Sequence, residues 1–234
     1  MKLKNKNIGV IKITILSVFS LFALCSMAGT PKKDKPVIRF KVNSKKIALT
    51  FDDGPNPKVT PQLLEILKKY NVKATFFLIG KKIKKSPELI NQYLKDGHET
   101  GNHSFTHPRL PLLKTEKEIR DEIEENQDLQ ESMTGKKPVS FRAPFLKFDD
   151  RVWKIVHENN LNAYNASCYL DCKDSANVKN HAEEAATKVT PGSIILMHER
   201  PITLKFIEKF IKILQREGFE FCTISDLKNS SESK

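Results

Sequence analysis

The chain has few of the residues that staple a fold or span a membrane. It carries four cysteines in 234 residues. One of them, Cys25, lies in an N-terminal segment expected to be removed, which leaves Cys168, Cys172 and Cys222. An odd, small set excludes a disulfide framework as the basis of the fold. The most apolar stretch, from Ile13 to Leu24, falls short of the ~20 residues that a bilayer-spanning helix needs. No internal repeat is visible, so a solenoid is excluded as well. Acids are the minority, 28 against 40 lysines and arginines, giving a formal charge of +12. The chain stays basic after loss of Lys2, Lys4, Lys6 and Lys12. Long-range attraction then favours anionic surroundings such as nucleic acid, acidic lipid or a wall polymer, and a merely solvated lysine surface is the plain alternative.

Lysines, then the apolar run, then Ser26-Met27-Ala28 before Gly29, have the order of a signal peptide cleaved after Ala28. The expected organisation is a signal peptide over 1–28, a flexible lysine-rich lead-in over 29–45, one catalytic domain over 46–228 and a disordered polar tail over 229–234. The expected location is therefore outside the cytoplasm, secreted or in the cell envelope. From Lys46 onward, short apolar runs alternate with amphipathic ones, the pattern of strands followed by helices in a mainly parallel α/β fold. About seven units are expected. The strands are predicted at Ile47 to Phe51, Ala74 to Ile79, His98 to Asn102, Ser140 to Arg142, Ala163 to Ser167, Ser193 to Met197 and Phe219 to Ile224.

The unusual polar residues share one position: Asp52-Asp53, His103 and His107, Arg142 and His198 all follow predicted strands. Strand C-terminal ends are where active sites of α/β barrels and open α/β sheets are built. Two adjacent carboxylates leaving a strand point in different directions, so one can bind a metal while the other serves as a base; capping of the Gly54-Pro55 turn is the structural alternative. His103 and His107 are four residues apart and reach one ion if the segment forms a helical turn. With Asp53 they make a two-histidine, one-carboxylate set that leaves positions open, as catalytic zinc does, although non-haem iron uses the same set. Arg142 is a permanent cation able to grip a carboxylate, and His198 is a titratable group able to pass a proton near neutral pH. His98 begins a strand, and His157 and His181 lie in helical patterns without acidic or metal-binding companions, so none of the three is assigned a role.

In that order, Thr-Phe-Asp-Asp-Gly-Pro, His-Ser-x-x-His, Arg-x-Pro-Phe and Leu-x-His resemble the signature of the polysaccharide deacetylase family with its NodB-homology domain, from about Lys46 to Leu227. The resemblance implies a distorted (β/α) barrel and a zinc or similar divalent ion held by Asp53, His103 and His107. It implies that Asp52 is the base, oriented by Arg142, that His198 protonates the leaving amine, and that the Phe145 N–H stabilises the oxyanion. Pro144, Phe145 and Leu196 would shape the pocket. The chain departs from the family's Asp-x-x-Asp-Trp at Cys168-Tyr169-Leu170-Asp171-Cys172. Asp171 is retained and would orient His198, Tyr169 would stand in for the lost tryptophan, and the two cysteines are either a disulfide or buried thiols. The expected substrate is an acetylated polysaccharide, foremost the N-acetylglucosamine units of peptidoglycan, with no nucleic-acid partner and no stable membrane span. A chitooligosaccharide deacetylase, an acetylxylan esterase and a metal-containing wall-binding protein without turnover are the alternatives.

Overall fold

The run Ile47–Phe51 is apolar except at Thr50, and it forms the central strand β1, Lys46–Gly54. The computed structural model describes residues 35–172 and 178–232. Its further strands are β2 (Thr75–Leu78), β3 (Glu99–Asn102), β4 (Ser140–Phe141), β5 (Asn162–Ala163), β6 (Cys168–Tyr169), β7 (Ile194–His198) and β8 (Glu220–Cys222). All paired strands run parallel, in the order β5-β4-β3-β2-β1-β7-β6. β8 pairs with the beginning of β1.

This order dictates the curvature. β5 and β6 stand at opposite ends of the sheet, yet only residues 164–167 connect them. Seven flat strands at ~4.8 Å spacing would hold those ends about 29 Å apart, whereas the step from Ala163 to Cys168 reaches at most about 17 Å. The sheet must curl until its edges approach, which makes the distorted (β/α) barrel that the sequence motifs imply. The predicted strand Ala163 to Ser167 is therefore corrected: most of it is the bridge across the seam, flanked by two short strands. The segment before β1 seals the same seam. Val37 N–H donates to Ala163 O at 3.0 Å and Phe40 N–H to Gly192 O at 2.9 Å. Gly192 has φ +78°, and a Cβ there would stand 1.8 Å from Phe40 O, so a larger residue would push this strap away. Residues 37–40 are thus part of the folded unit, against the expectation of a flexible lead-in through residue 45. The tail differs too: residues 229–232 continue helix α9 (Ile224–Glu232).

Period-two alternation along β1 sorts its side chains. Ile47, Leu49 and Phe51 face outward into the main core, where Phe51 stacks on Phe76 at 5.1 Å and Tyr93 meets Phe76 in a tilted contact at 4.5 Å. Helices α1 (Thr60–Lys69), α3 (Glu88–Lys95), α6 (Val178–Ala186) and α8 (Ile207–Arg216) supply much of this layer, and the described helices also include α2 (Gly80–Lys85), α5 (Asp150–Glu158) and α7 (Pro201–Leu204). Ala48 joins a separate interior cluster with Phe77, Tyr164 and Leu196. Thr50 and Asp52, in phase with Ala48, are buried and polar.

Helix α4 (Glu116–Thr134) opens with a capping box between Thr115 and Glu118 and ends at Gly135 in the left-handed conformation. Its buried face is partly polar, with Asn126, Gln127 and Gln130 beside Ile119 and Ile123. Asn126 Nδ2 donates to Leu78 O at 2.8 Å and to Ser104 O at 2.6 Å. Glu122 accepts from the backbone N–H groups of Phe105 and Thr106 at 3.0 and 2.8 Å. These bonds hold the loop that follows β3.

Candidate active site

Because the strands are parallel, their C-terminal ends share one rim, and there the predicted residues meet. Asp52 and Asp53 end β1, His103 and His107 follow β3, Arg142 follows β4, Asp171 follows β6 and His198 ends β7. They surround a cleft of about 450 Å³ lined by Asp52, Asp53, His103, His107, Asp171 and His198 together with Phe145, Leu146, Tyr169, Leu196 and Arg200. Pro144, expected to shape the pocket, is buried and is not among the lining residues.

Backbone strain concentrates here. Seven described non-glycine residues have positive φ. Asn71 and Asn160 follow helices, where asparagine tolerates that conformation. The other five are Asp53, Ser104, His107, Phe145 and Leu146, at a cost of order 1–3 kcal/mol each. Such strain persists only where the surrounding structure holds it. The histidine segment is consequently no helical turn, which corrects the expectation: Ser104 and His107 are left-handed, at φ 61° and 67°, and the His107 N–H donates to Ser104 Oγ at 3.0 Å.

The three predicted ligands converge all the same. Asp53 Oδ1 lies 3.2 Å from His107 Nε2 and 3.6 Å from His103 Nε2, and one ligand atom from each of the three residues falls within 4.8 Å of the others. Asp53 Oδ1 is buried without a hydrogen-bond partner, the condition of an atom that a cation would satisfy. His103 Nδ1 is 2.7 Å from the Arg142 carbonyl, which can only accept. Nδ1 therefore carries a hydrogen, which leaves Nε2, on the Asp53 side, as the nitrogen available to a cation. Burial pushes the Asp53 carboxyl up, but the neighbouring His103 and His107 imidazoles outweigh it and hold the group well below the ordinary carboxylate range. The set fits a divalent ion.

Asp52 is placed differently. Its Oδ1 accepts from Arg142 Nη1 at 2.7 Å, and the same nitrogen donates to Thr50 Oγ1 at 2.8 Å. Arg142 is fully buried, lies 4.1 Å from the centre of the Phe77 ring and also donates to Tyr164 O and Asn165 O. The seam segment thus fixes the guanidinium, which fixes the carboxylate. Asp52 Oδ2 lies on the metal-site side, 3.8 Å from His103 Nε2.

Across the cleft, His198 N–H donates to Asp171 Oδ1 at 3.0 Å, and Asp171 Oδ2 bonds His198 Nδ1. A carboxylate accepts, so Nδ1 carries the hydrogen and Nε2 faces the cleft, 3.9 Å from Asp53 Oδ2. Burial lowers the imidazole's pKa, but the bond to Asp171 and the nearby Asp52 and Asp53 charges outweigh it and raise the group above the ordinary histidine value. Phe145 and Tyr169 stand about half exposed at the mouth. No described residue accepts the Phe145 N–H. Cys168 and Cys172 form no disulfide, and both thiols are buried.

Sequence reasoning missed Thr50, Glu122, Asn126, Leu146, Glu199 and Arg200. Their partners lie far away along the chain, so no spacing announces them. Glu199 is fully buried beside His198: Tyr93 Oη donates to its Oε1 at 2.8 Å and Thr60 Oγ1 to its Oε2. A Cβ on Gly54 would stand 1.8 Å from that Oε1, which explains the glycine after Asp53. Burial pushes the Glu199 carboxyl up to about 7, against the lowering bonds from Thr60 and Tyr93. Between its ordinary 4.5 and about 7, the folded protein keeps a proton that the unfolded chain has released. Stability from this group is thus lost as pH rises through that window. Glu199→Gln is expected to flatten the fall in unfolding free energy by roughly 3 kcal/mol across it, followed by urea denaturation; an unchanged slope would show that Glu199 does not titrate there.

Residues 40–164 match the family model described as Polysaccharide deacetylase. The chain is 35% identical to a peptidoglycan-N-acetylglucosamine deacetylase of Bacillus cereus, over 79% of this chain and 89% of that protein. The solved peptidoglycan deacetylase PdaC of Bacillus subtilis superposes with a TM-score of 0.73 at 34% identity, covering 80% of this chain and 92% of that one. The chain spans only 40% of the full-length PdaC. A CE4 family pseudoenzyme from Bacillus anthracis is also similar, with a TM-score of 0.75 at 31% identity over 82% of this chain and 68% of that one.

Proposed function

Because the chain belongs to the polysaccharide deacetylase family, we propose that it hydrolyses N-acetyl groups from N-acetylglucosamine units of peptidoglycan, with a divalent ion, zinc foremost, held by Asp53, His103 and His107. One observation carries this reading: a buried, arginine-held carboxylate and a carboxylate-held imidazole face each other across the ligand set, with apolar walls between. A binding protein without turnover would have no use for that pairing.

When bound, the ion supplies Lewis acidity, polarising the acetyl carbonyl and easing deprotonation of water. Asp52 takes the proton from the attacking water at Oδ2, since Oδ1 is occupied by Arg142. The Phe145 N–H donates to the carbonyl oxygen as negative charge develops on it. His198 Nε2 then gives a proton to the sugar nitrogen as the C–N bond breaks, so one water is consumed and acetate and the free amine leave. Asp171 holds the imidazole in the tautomer this needs. Phe145, Leu146, Leu196 and Tyr169 offer apolar surface to the acetyl methyl and the sugar ring.

The lysine-led apolar run and Ser26-Met27-Ala28 support export with cleavage after Ala28; these residues lie outside the described ones. No described helix is long and apolar enough to cross a membrane. The test is acetate release by the zinc-loaded protein from purified peptidoglycan and from N-acetylglucosamine oligomers, with Asp52→Ala as control and the intact mass of the exported protein measured alongside. Release from peptidoglycan that disappears in the control, and a chain beginning at Gly29, are expected. Release from the oligomers alone would move the substrate to chitooligosaccharides, and none from either would sink the reading.

A further inference from the structure

Arg200 carries a charge that neither the fold nor the deacetylation steps use. It follows β7, two residues beyond His198, and its side chain is 52% exposed at the cleft. Among the described lining residues it is the one permanent cation. Arg142 is buried on Asp52, Lys82 Nζ donates to the Asp53 carbonyl at 2.6 Å, and Arg109 lies over the Phe145 ring at 5.1 Å without lining the cleft.

The acids nearest Arg200 are already engaged. Its Nη2 is 4.0 Å from Asp53 Oδ2 and its Nη1 3.9 Å from Asp171 Oδ2, both beyond hydrogen-bond distance. Asp171 spends both oxygens on His198, and Asp53 faces the two ligand imidazoles. A half-exposed ion pair at that separation contributes little. The Arg200 guanidinium therefore keeps its fork of N–H donors, with no acceptor among the described residues. Such a fork matches a carboxylate through two parallel hydrogen bonds. It stands on the same cleft as the exposed Tyr169 and Phe145 rings, the broad apolar surfaces on which a sugar chain can lie.

Resting on the deacetylase reading above, we propose that Arg200 binds a carboxylate of the substrate glycan, carried by a sugar next to the one that loses its acetyl group, and so selects acidic over neutral N-acetylated polymers. The overall positive charge draws any polyanion; a single guanidinium in the cleft sets the register of one. In peptidoglycan, the lactyl carboxylates of alternate sugars present this group once the peptide stems are removed.

The experiment compares stem-free peptidoglycan oligomers with the same oligomers after conversion of their carboxylates to neutral amides, using zinc-loaded wild type, Arg200→Ala and Arg200→Lys. Metal content is measured for each. Wild type is expected to show a KM about tenfold lower for the acid form, in line with one charge-assisted pair. Arg200→Ala should raise that KM to the neutral value with kcat and bound zinc unchanged, and Arg200→Lys should fall between them. Equal KM values for the two forms in wild type would overturn the carboxylate assignment while leaving the deacetylase intact. An equal loss on both forms in Arg200→Ala, or a loss of zinc, would overturn it in favour of a role on Asp53. No acetate release by wild type from either form would overturn both readings.

Discussion

Asp52→Asn is expected to keep its divalent ion and lose roughly 10³-fold in kcat, whereas Asp53→Ala is expected to lose the ion itself. The two carboxylates are neighbours in sequence, yet their surroundings differ. Asp52 is buried with Oδ1 on a guanidinium, and Asp53 has an orphaned buried oxygen between two imidazoles. Asparagine preserves the shape of Asp52 and one acceptor for Arg142 but cannot take up a proton. Alanine at 53 removes one of three ligands. Metal content by plasma emission and acetate release under saturating substrate separate the cases. Equal metal content and equal rates in the two variants would show that the division of labour is wrong.

Arg142→Met is expected to destabilise the protein by about 3–5 kcal/mol, because it leaves the Asp52 carboxylate buried without its counter-charge. For a chain of this size that corresponds to a melting point lower by roughly 6–20 °C. The loss reaches further than one ion pair. Thr50 Oγ1, Tyr164 O and Asn165 O also lose a donor, and the last two belong to the bridge across the barrel seam. The double variant Arg142→Met/Asp52→Asn is expected to be less destabilised than the two single losses combined, since the stranded charge is gone. Simple additivity would show that the pair is not coupled.

Much of this site was legible along the chain. Asp52, Asp53, His103, His107, Arg142 and His198 each follow a predicted strand, and parallel strands bring such ends to one rim. The alternation of strand and helix patterns pointed to the α/β class for the same reason. Where the sequence reading failed, the cause is physical. His103 and His107 four apart suggested a helical turn, but bonds from Asn126 and Glu122 on α4 hold the segment in a left-handed bend. Ala163 to Ser167 looked like one strand, yet the chain must cross from one edge of the curled sheet to the other within it.

Sequence by itself determined which chemistry is available: a carboxylate pair at a strand end, two imidazoles, a guanidinium and a further imidazole, because residue type sets the donors and charges. Only the tertiary structure gave each group its surroundings. Asp52 is distinguished from Asp53 by Arg142, which is 90 residues away, and His198 receives its tautomer from Asp171. Arg200 is left unengaged in the cleft because the acids beside it already have partners. Such assignments depend on distances of 3–4 Å between residues remote along the chain, and no local pattern encodes them.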